Sequence, residues 1–285
     1  MMYMELDLLT VVKFGGSSLA TASAIIKAIS IIRACRKRRL VVASAPGRGG
    51  RFNTKITDIL IRAHEELKES DTSIALENFR NRFITIASDL GLDKTDIIEK
   101  CIKSIKRNRL NRDYVISRGE YLISQILATK LGYHFIDARD YIVIKKDGRV
   151  NERSTKKRFK LLCRDKIKTG IVMGGFYGEC KDGIVKTFAR GGGDYTGAIA
   201  SAMLGADMYE NFTDTNGVRT EDPRKNPNAE LIAEIPHADM HKMSLNGASV
   251  IFPDCMPLLE KHGIPIKIDN TFNPDKEYTI IKSAT

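Results

Sequence analysis

The chain has 285 residues, about two typical domains or one large one, and enough for a proper core. Hydrophobic residues make up 42% and charged residues 28%; no apolar run approaches the ~18 residues that span a bilayer, so disordered, collagenous and membrane-spanning classes drop out. Forty-six Lys and Arg against 35 Asp and Glu leave a net charge of +11, which suits anionic partners without choosing among nucleotide, acidic metabolite, nucleic acid and lipid surface.

LLTVVKF at 8–14, a helical stretch at 18–36 and LVVASA at 40–45 read as strand, helix, strand. Parallel strands need a helical crossover, and runs rich in valine suggest burial on both faces, so the natural inference is an α/β sheet with helices packed on it. Residues 55–70, 72–90 and 94–107 carry apolar positions three or four apart, which predicts a helical excursion outside the sheet over about 55–110. An amphipathic helix at 114–131 stops at Gly132, and YHFID, YIVIKKDGRV and GIVMGGFYG supply further strands, with a hairpin at Asp147 and Gly148. A helix at 194–204 ends at Gly205 before a strand at 206–213; helices at 237–246 and 252–262 precede the strands IPIKI and YTIIK. No repeat or flexible linker interrupts this pattern, which favours one large domain over 1–285.

The five cysteines, at 35, 101, 163, 180 and 255, lie 17 residues or more apart, without redox-pair or zinc-ligand spacing. The N-terminus carries acids where a secretory signal would carry bases, so a cytoplasmic setting is expected. Basic runs at 33–39 and 106–112 contain no aromatic residue for base stacking and are expected to be solvated helix ends, with no nucleic-acid or membrane partner. His237 and His241 share a helical face but lack the glutamate of a zinc-binding HExxH, leaving a surface or packing role.

Three segments carry chemistry. KFGGSS, from Lys13 to Ser18, joins a buried strand to a helix; its glycines allow a close backbone approach, and free amides at a helix start attract phosphate. It matches neither a Walker A loop nor GxGxxG, and an ordinary tight turn fits it equally. ARGGGDYTGA repeats the strand-to-helix theme with Arg190 as a fork for a carboxylate or phosphate and Asp194 near the helix start, where it could also simply cap. NFTDTNGVRTEDPR, from Asn211 to Arg224, follows a strand and is dense in hydroxyls, acids and turn residues, as any loop can be.

Taken in order, these segments resemble the amino acid kinase family, and within it the catalytic domains of aspartate kinases. KFGGSS resembles that family's phosphate loop, SAPGRGGRFNTKITDIL its substrate loop and following helix, and SRGEYLISQILA its GE-containing helix. ARGGGDYTGA is similar to GRGGSDYT, TDTNGVRTEDPR to TDVDGVYTADPR, and GASVIFP and IPIKIDNTFNP to the closing elements. The resemblance implies a three-layer αβα sandwich with a mainly parallel central sheet, binding L-aspartate and ATP with Mg²⁺ carried on the nucleotide, assembled as a homo-oligomer, a dimer. Lys13 and Asp194 would be catalytic. Ser44, Thr57, Glu120, Arg190 and Gly193 would bind substrate, with Glu120 on the α-ammonium and Arg190 on the α-carboxylate. Lys13, Gly15, Gly16, Ser17, Thr213, Asp214, Gly217, Arg219, Arg224 and Ser249 would line the ATP site, and no protein metal cage is implied.

Departures occur at Gly193, where the family usually has serine, at Arg219 in place of a common tyrosine, and at Ser249, where many relatives carry lysine. Kinases of glutamate, acetylglutamate or aminoadipate, and a catalytically weak nucleotide- or amino-acid-sensing subunit, are the alternatives. Only 11 residues follow Pro274, too few for the C-terminal ACT regulatory domains of many aspartate kinases. The expected outcome is that lysine and threonine do not inhibit this chain alone; cooperative inhibition of the isolated protein would contradict it.

Overall fold

Apolar, β-branched runs form the central sheet. The computed structural model describes residues 8–162, 165–188, 191–221, 226, 228–248 and 250–284, so the expectations for Arg190, Arg224 and Ser249 lie outside the described residues. Strand β1 (Thr10–Phe14) leads through a 3₁₀ turn at Ser17–Leu19 into helix α1 (Ala22–Ala34), whose first turn is capped by Thr21 Oγ1 accepting from the Ala24 amide. β2 (Arg38–Ala43) returns parallel to β1, and α2 (Ile56–Glu69), α3 (Ile74–Asp89) and α4 (Thr95–Arg107) follow. Next come α5 (Arg112–Ile116), α6 (Arg118–Leu131), β3 (His134–Ile136), α7 (Ala138–Tyr141), α8 (Glu152–Leu162) and α9 (Lys166–Thr169). β4 (Ile171–Gly174) precedes the small hairpin of β5 (Tyr177–Glu179) and β6 (Val185–Thr187). Then α10 (Gly192–Leu204) and β7 (Met208–Thr213) lead to the short pair β8 (Val218–Arg219) and β9 (Leu231–Ile232). β10 (Glu234–Pro236), α11 (His237–Leu245), α12 (Cys255–Lys261), β11 (Ile266–Asn270) and β12 (Thr279–Lys282) complete the order.

Eight strands pair in the order β10-β12-β11-β7-β1-β2-β4-β3. From β11 to β3 every neighbour is parallel, while β12 runs antiparallel to β11 and β10 follows β12. Period-two alternation splits the sheet's side chains between two cores. Val11, Leu40, Met173 and Tyr209 face one core with residues of α10 and α12; Val12, Phe14, Val41 and Phe212 face another with residues of α1, α2, α3 and α6. Helices therefore cover both faces, giving the expected three layers. The strands β7, β1, β2 and β4 lie side by side, so the loops at their C-terminal ends gather above one edge, where ligands settle on open parallel sheets.

Three local expectations differ from the structure. The helix expected at 114–131 is two, meeting at Ser117, whose hydroxyl donates to the Tyr114 carbonyl and competes with the regular ladder. Asp147 and Gly148 turn the chain, but only Ile144 and Val150 bridge across them, so no true hairpin forms. Within the basic run at 33–39, Arg38 is buried rather than solvated. Its Nε and Nη2 donate to the Glu210 carboxylate at 2.5 and 3.0 Å, and Nη1 donates to the Ile31 carbonyl at 2.6 Å. The helix expected at 237–246 does carry a packed histidine, His237, whose Nε2 lies 3.2 Å from the Ile264 carbonyl.

The Arg38 and Glu210 side chains tie β2 to β7 across β1, a bidentate pair out of contact with water. Breaking such a pair leaves one charge buried and unpaired, so Glu210→Ala is expected to cost about 3–5 kcal/mol in urea unfolding. Replacing both residues together, Arg38→Met with Glu210→Leu, is expected to recover most of that loss. Equal stability of Glu210→Ala and the wild type would refute the pairing.

Candidate functional site

Beyond Phe14 the chain turns at Gly15 and Gly16, and the turn is tied to its surroundings by backbone bonds. The Gly15 amide donates to the Phe212 carbonyl at 3.0 Å, and the Leu19 and Ala20 amides donate to the Gly16 and Ser17 carbonyls at 3.2 and 3.3 Å. The loop after β2 lies directly against it. Ser44 donates its amide to the Phe14 carbonyl at 3.1 Å, and Gly47 to the Gly16 carbonyl at 2.7 Å. A Cβ on Gly16 would stand 2.9 Å from the Ala45 oxygen, and one on Gly47 would stand 2.7 Å from the Gly16 carbonyl carbon. Only glycine at both positions lets these loops meet backbone to backbone.

Lys13 is the last inward-facing residue of β1 on the α10 side. Its Nζ lies 2.5 Å from Asp194 Oδ1 and donates to Asn211 Oδ1 at 3.2 Å. Asn211, fully buried on β7, donates in turn to Asp194 Oδ1 at 3.4 Å, and the Phe252 amide donates to Asp194 Oδ2 at 3.1 Å. Asp194 therefore does not cap α10. The N-cap is Gly191, with φ of +83°, and Asp194 occupies the third helical position with its carboxylate committed to Lys13 and Phe252. Negative charge in the first turn of a helix is still favoured by the helix dipole.

Gly193 sits beside this knot. A Cβ there would lie 2.8 Å from Ser44 Oγ and 3.6 Å from Lys13 Cε, so the Ser44 hydroxyl fills the space next to the bare backbone. Lys13, Ser44, Gly193 and Asp194 are thus brought together from β1, the loop after β2, and α10.

Glu120 approaches from α6. Gly119 allows this: its Cβ would meet Ile56 Cγ2 at 2.6 Å and Ala45 Cβ at 2.9 Å. The Glu120 side chain is 5% exposed, accepts from the Ala45 amide, and leaves its Oε2 buried without a hydrogen-bond partner. Burial pushes its carboxyl up to about 8, against the opposing pull of the Ala45 and Glu120 amides and of Arg118. The neighbouring Arg118 is packed among the rings of Tyr114, Tyr121 and Tyr177, at 4.3, 4.6 and 5.1 Å, and donates to Ser117 Oγ at 3.0 Å. Thr57 is half-buried on the first turn of α2, next to the Ile56 side chain that meets Gly119.

On the other side of the phosphate-type loop, Thr213 ends β7, donates its hydroxyl to Asp214 Oδ1 at 3.2 Å and accepts from the Thr271 amide at 2.9 Å. Asp214 is exposed. The Ser18 and Thr271 hydroxyls, 2.6 Å apart, join the 3₁₀ turn to the end of β11. Gly217, with φ of +62°, has no room for a side chain, because a Cβ would lie 2.7 Å from Leu231 Cδ1. Arg219 is turned away into an ion pair with Glu277 at 2.9 Å and donates to the Ala229 carbonyl at 3.0 Å, so it is held by the protein itself.

Two participants were missed by sequence reasoning. Asn211 was visible as a buried-strand polar residue, since MYENFT puts it in register with Tyr209 and Thr213 on one face; nothing local marks the Phe252 amide. Among the described residues no three His, Cys, Asp or Glu side chains converge as a metal cage. No helix among them is long and apolar enough to cross a membrane.

Residues 9–270 match the amino acid kinase family. Aspartokinase 3 of Bacillus subtilis is 34% identical over 292 aligned residues, covering 96% of this chain and 63% of that protein. The crystal structure of Clostridium acetobutylicum aspartate kinase superposes with a TM-score of 0.87 at 35% identity, covering 97% of this chain and 63% of that one. E. coli aspartokinase III, solved in complex with aspartate and ADP, gives a TM-score of 0.86 at 25% identity, covering 97% and 65%. The chain thus spans less than two thirds of these relatives' length.

The raised Glu120 carboxyl makes a prediction about pH. Between its ordinary value of 4.5 and about 8, the folded ligand-free chain holds a proton that the unfolded chain has released. Folding stability should therefore fall as pH rises through that window, by about 1.4 kcal/mol per pH unit from this group. Urea unfolding of wild type and Glu120→Gln across pH 5–8 isolates the contribution: the variant should lose that slope. Parallel curves would show that Glu120 is not held protonated.

Proposed function

Since the chain belongs to the amino acid kinase family, we propose that it transfers the γ-phosphate of ATP to the side-chain carboxylate of L-aspartate, giving 4-phospho-L-aspartate and ADP. The observation that favours an acceptor with a free α-ammonium is the buried Glu120 oxygen without a partner, and the choice of aspartate among such acids is supported by the aspartokinase relatives. A buried carboxylate seeks a cation, and a free α-ammonium supplies one. Acetylglutamate, whose amine is acylated, offers no cation, so Glu120 would stay protonated beside it and gain no ion pair.

The acceptor carboxylate, with a pKa near 3.9, is ionised at neutral pH and needs no general base. What remains is charge neutralisation and alignment. Lys13, fixed by Asp194 and Asn211, would contact the transferring phosphoryl oxygens, with the amides of Gly15, Gly16 and Ser17 shaping the loop around them. Asp194 orients the ammonium rather than accepting a proton. Glu120 would take the α-ammonium, Arg190 the α-carboxylate, and Ser44, Thr57 and Gly193 the remaining edge of the substrate. Thr213, Asp214 and the turn at Gly217 would border the nucleotide, with Arg224 and Ser249 assigned there by resemblance. Arg219, engaged by Glu277, would hold that segment's shape. Mg²⁺ arriving on the nucleotide would add positive charge at the phosphates.

Trapping the acyl phosphate with hydroxylamine tests the reading, using Mg-ATP and a panel of aspartate, glutamate, acetylglutamate and aminoadipate. Hydroxamate from aspartate is expected. Product from glutamate alone would move the substrate by one methylene, and ATP binding without product from any acid would favour a sensing role. Asp194→Asn should lower turnover roughly 10²-fold by loosening Lys13; near-wild-type turnover would remove Asp194 from the mechanism.

A further inference from the structure

Arg82 is an anomaly of the second core. It lies on the buried face of α3 among Phe79, Phe83 and Ile86 and is 4% exposed. Among the described residues no carboxylate pairs with it. Its guanidinium donates instead to backbone carbonyls of other segments: Nη1 to Thr54, and Nη2 to Gly47 and, more weakly at 3.5 Å, to Ala20. The Phe52 ring lies under its plane, 4.4 Å from centroid to Cζ, and its Nε has no partner.

From this geometry we infer that Arg82 is a positioning residue for the acceptor half of the site, clamping the loop between β2 and α2 against the phosphate-type loop. The inference rests on the reading of that loop as the one that receives the amino acid. Thr54 and Gly47 are seven residues apart in the loop, and Ala20 ends the turn that begins at Gly16. One planar fork therefore fixes both ends of the loop and its neighbour. The same loop places the Ser44 hydroxyl beside Gly193, the Ala45 amide on Glu120, and the Gly47 amide on Gly16.

The cost side of the argument is equally specific. Burial without an anion pulls the Arg82 pKa down to about 10, so the cation is held against its desolvation penalty. An unbranched apolar side chain at this position would continue the apolar stripe of Phe79, Phe83 and Ile86 while removing the fork. Lysine cannot replace it either: a single ammonium lacks the rigid fork that reaches separate carbonyls at once.

The test compares Arg82→Met and Arg82→Lys with the wild type in three measurements: hydroxamate kinetics, thermal unfolding, and hydrogen exchange of the amides at 47–56. Both variants are expected to raise the KM for aspartate roughly tenfold or more and lower kcat, while the KM for ATP moves less than about threefold. Amide exchange at 47–56 should quicken in both, with Arg82→Met unfolding within a few degrees of the wild type. An Arg82→Ala variant should regain part of its activity with added guanidinium. Wild-type kinetics and exchange in Arg82→Met would overturn the inference, as would a joint loss of aspartate affinity, ATP affinity and thermal stability, which marks a merely structural residue. Absence of hydroxamate from the wild type would instead defeat the proposed function, and the exchange measurement would still decide whether Arg82 clamps the loop.

Discussion

Lys13 and Asp194 are 181 positions apart in the chain, yet their charged atoms lie 2.5 Å apart above the sheet. Everything else in the site is arranged around making that contact possible and useful. It requires β1 in the middle of the sheet, with β7 on one side to present Asn211 and β2 on the other to present the Ser44 loop. It also requires α10 to begin at a glycine with left-handed φ, so that the helix can start directly over the strand end. An ammonium left alone at 8% exposure would be poorly solvated; one already held by a carboxylate and an amide oxygen is kept in place before any ligand arrives. That is pre-organisation, and it costs nothing further when an anion with more charge than Asp194 approaches the same atom.

Glycine supplies the second constraint. Gly16 against Gly47, Gly119 against Ile56 and Ala45, and Gly175, on which a Cβ would stand 2.9 Å from the Gly193 Cα, mark close approaches between segments, not merely turns within one. Together they draw the loops after β1, β2 and β4 and the first turns of α6 and α10 into a space where side chains would keep them apart. A methyl at any of these positions would push a loop outward, and the loops carry the functional groups. The role of these residues is therefore legible only in three dimensions, although their abundance at strand ends is plain in the sequence.

Much of the architecture could be read directly. The helices at 55–70, 72–90 and 94–107 correspond to α2, α3 and α4 within a residue or two, because each is bounded by polar or glycine-containing turns and keeps one apolar stripe. Strand ends carrying GG and GGG pointed to the loops that converge. What escaped was every polar group whose partner is remote. Arg38 was hidden in a run of basic residues, and only Glu210, 172 positions away, explains its burial. Arg82 interrupts the apolar stripe Phe79, Phe83, Ile86 at helical spacing, a signal that periodicity tolerates as noise. The ion pair of Arg219 with Glu277, 58 positions on, is likewise invisible to local pattern. Local pattern reports burial; it does not report which charge will be waiting.

The loop after β2 links the two buried ionisable groups, Lys13 and Glu120, to each other. Ser44 faces Gly193 and the Lys13 stem, while Ala45, the next residue, gives its amide to Glu120. Consecutive Cα atoms are about 3.8 Å apart, so the loop passes from the Gly193 side to the Glu120 side in a single residue step. The loop is pinned at Gly16 by Gly47 and under Arg82 by Gly47 and Thr54. One rigid loop is thus held between a lysine committed to an aspartate and a buried glutamate that accepts from the Ala45 amide while its Oε2 stays unpartnered.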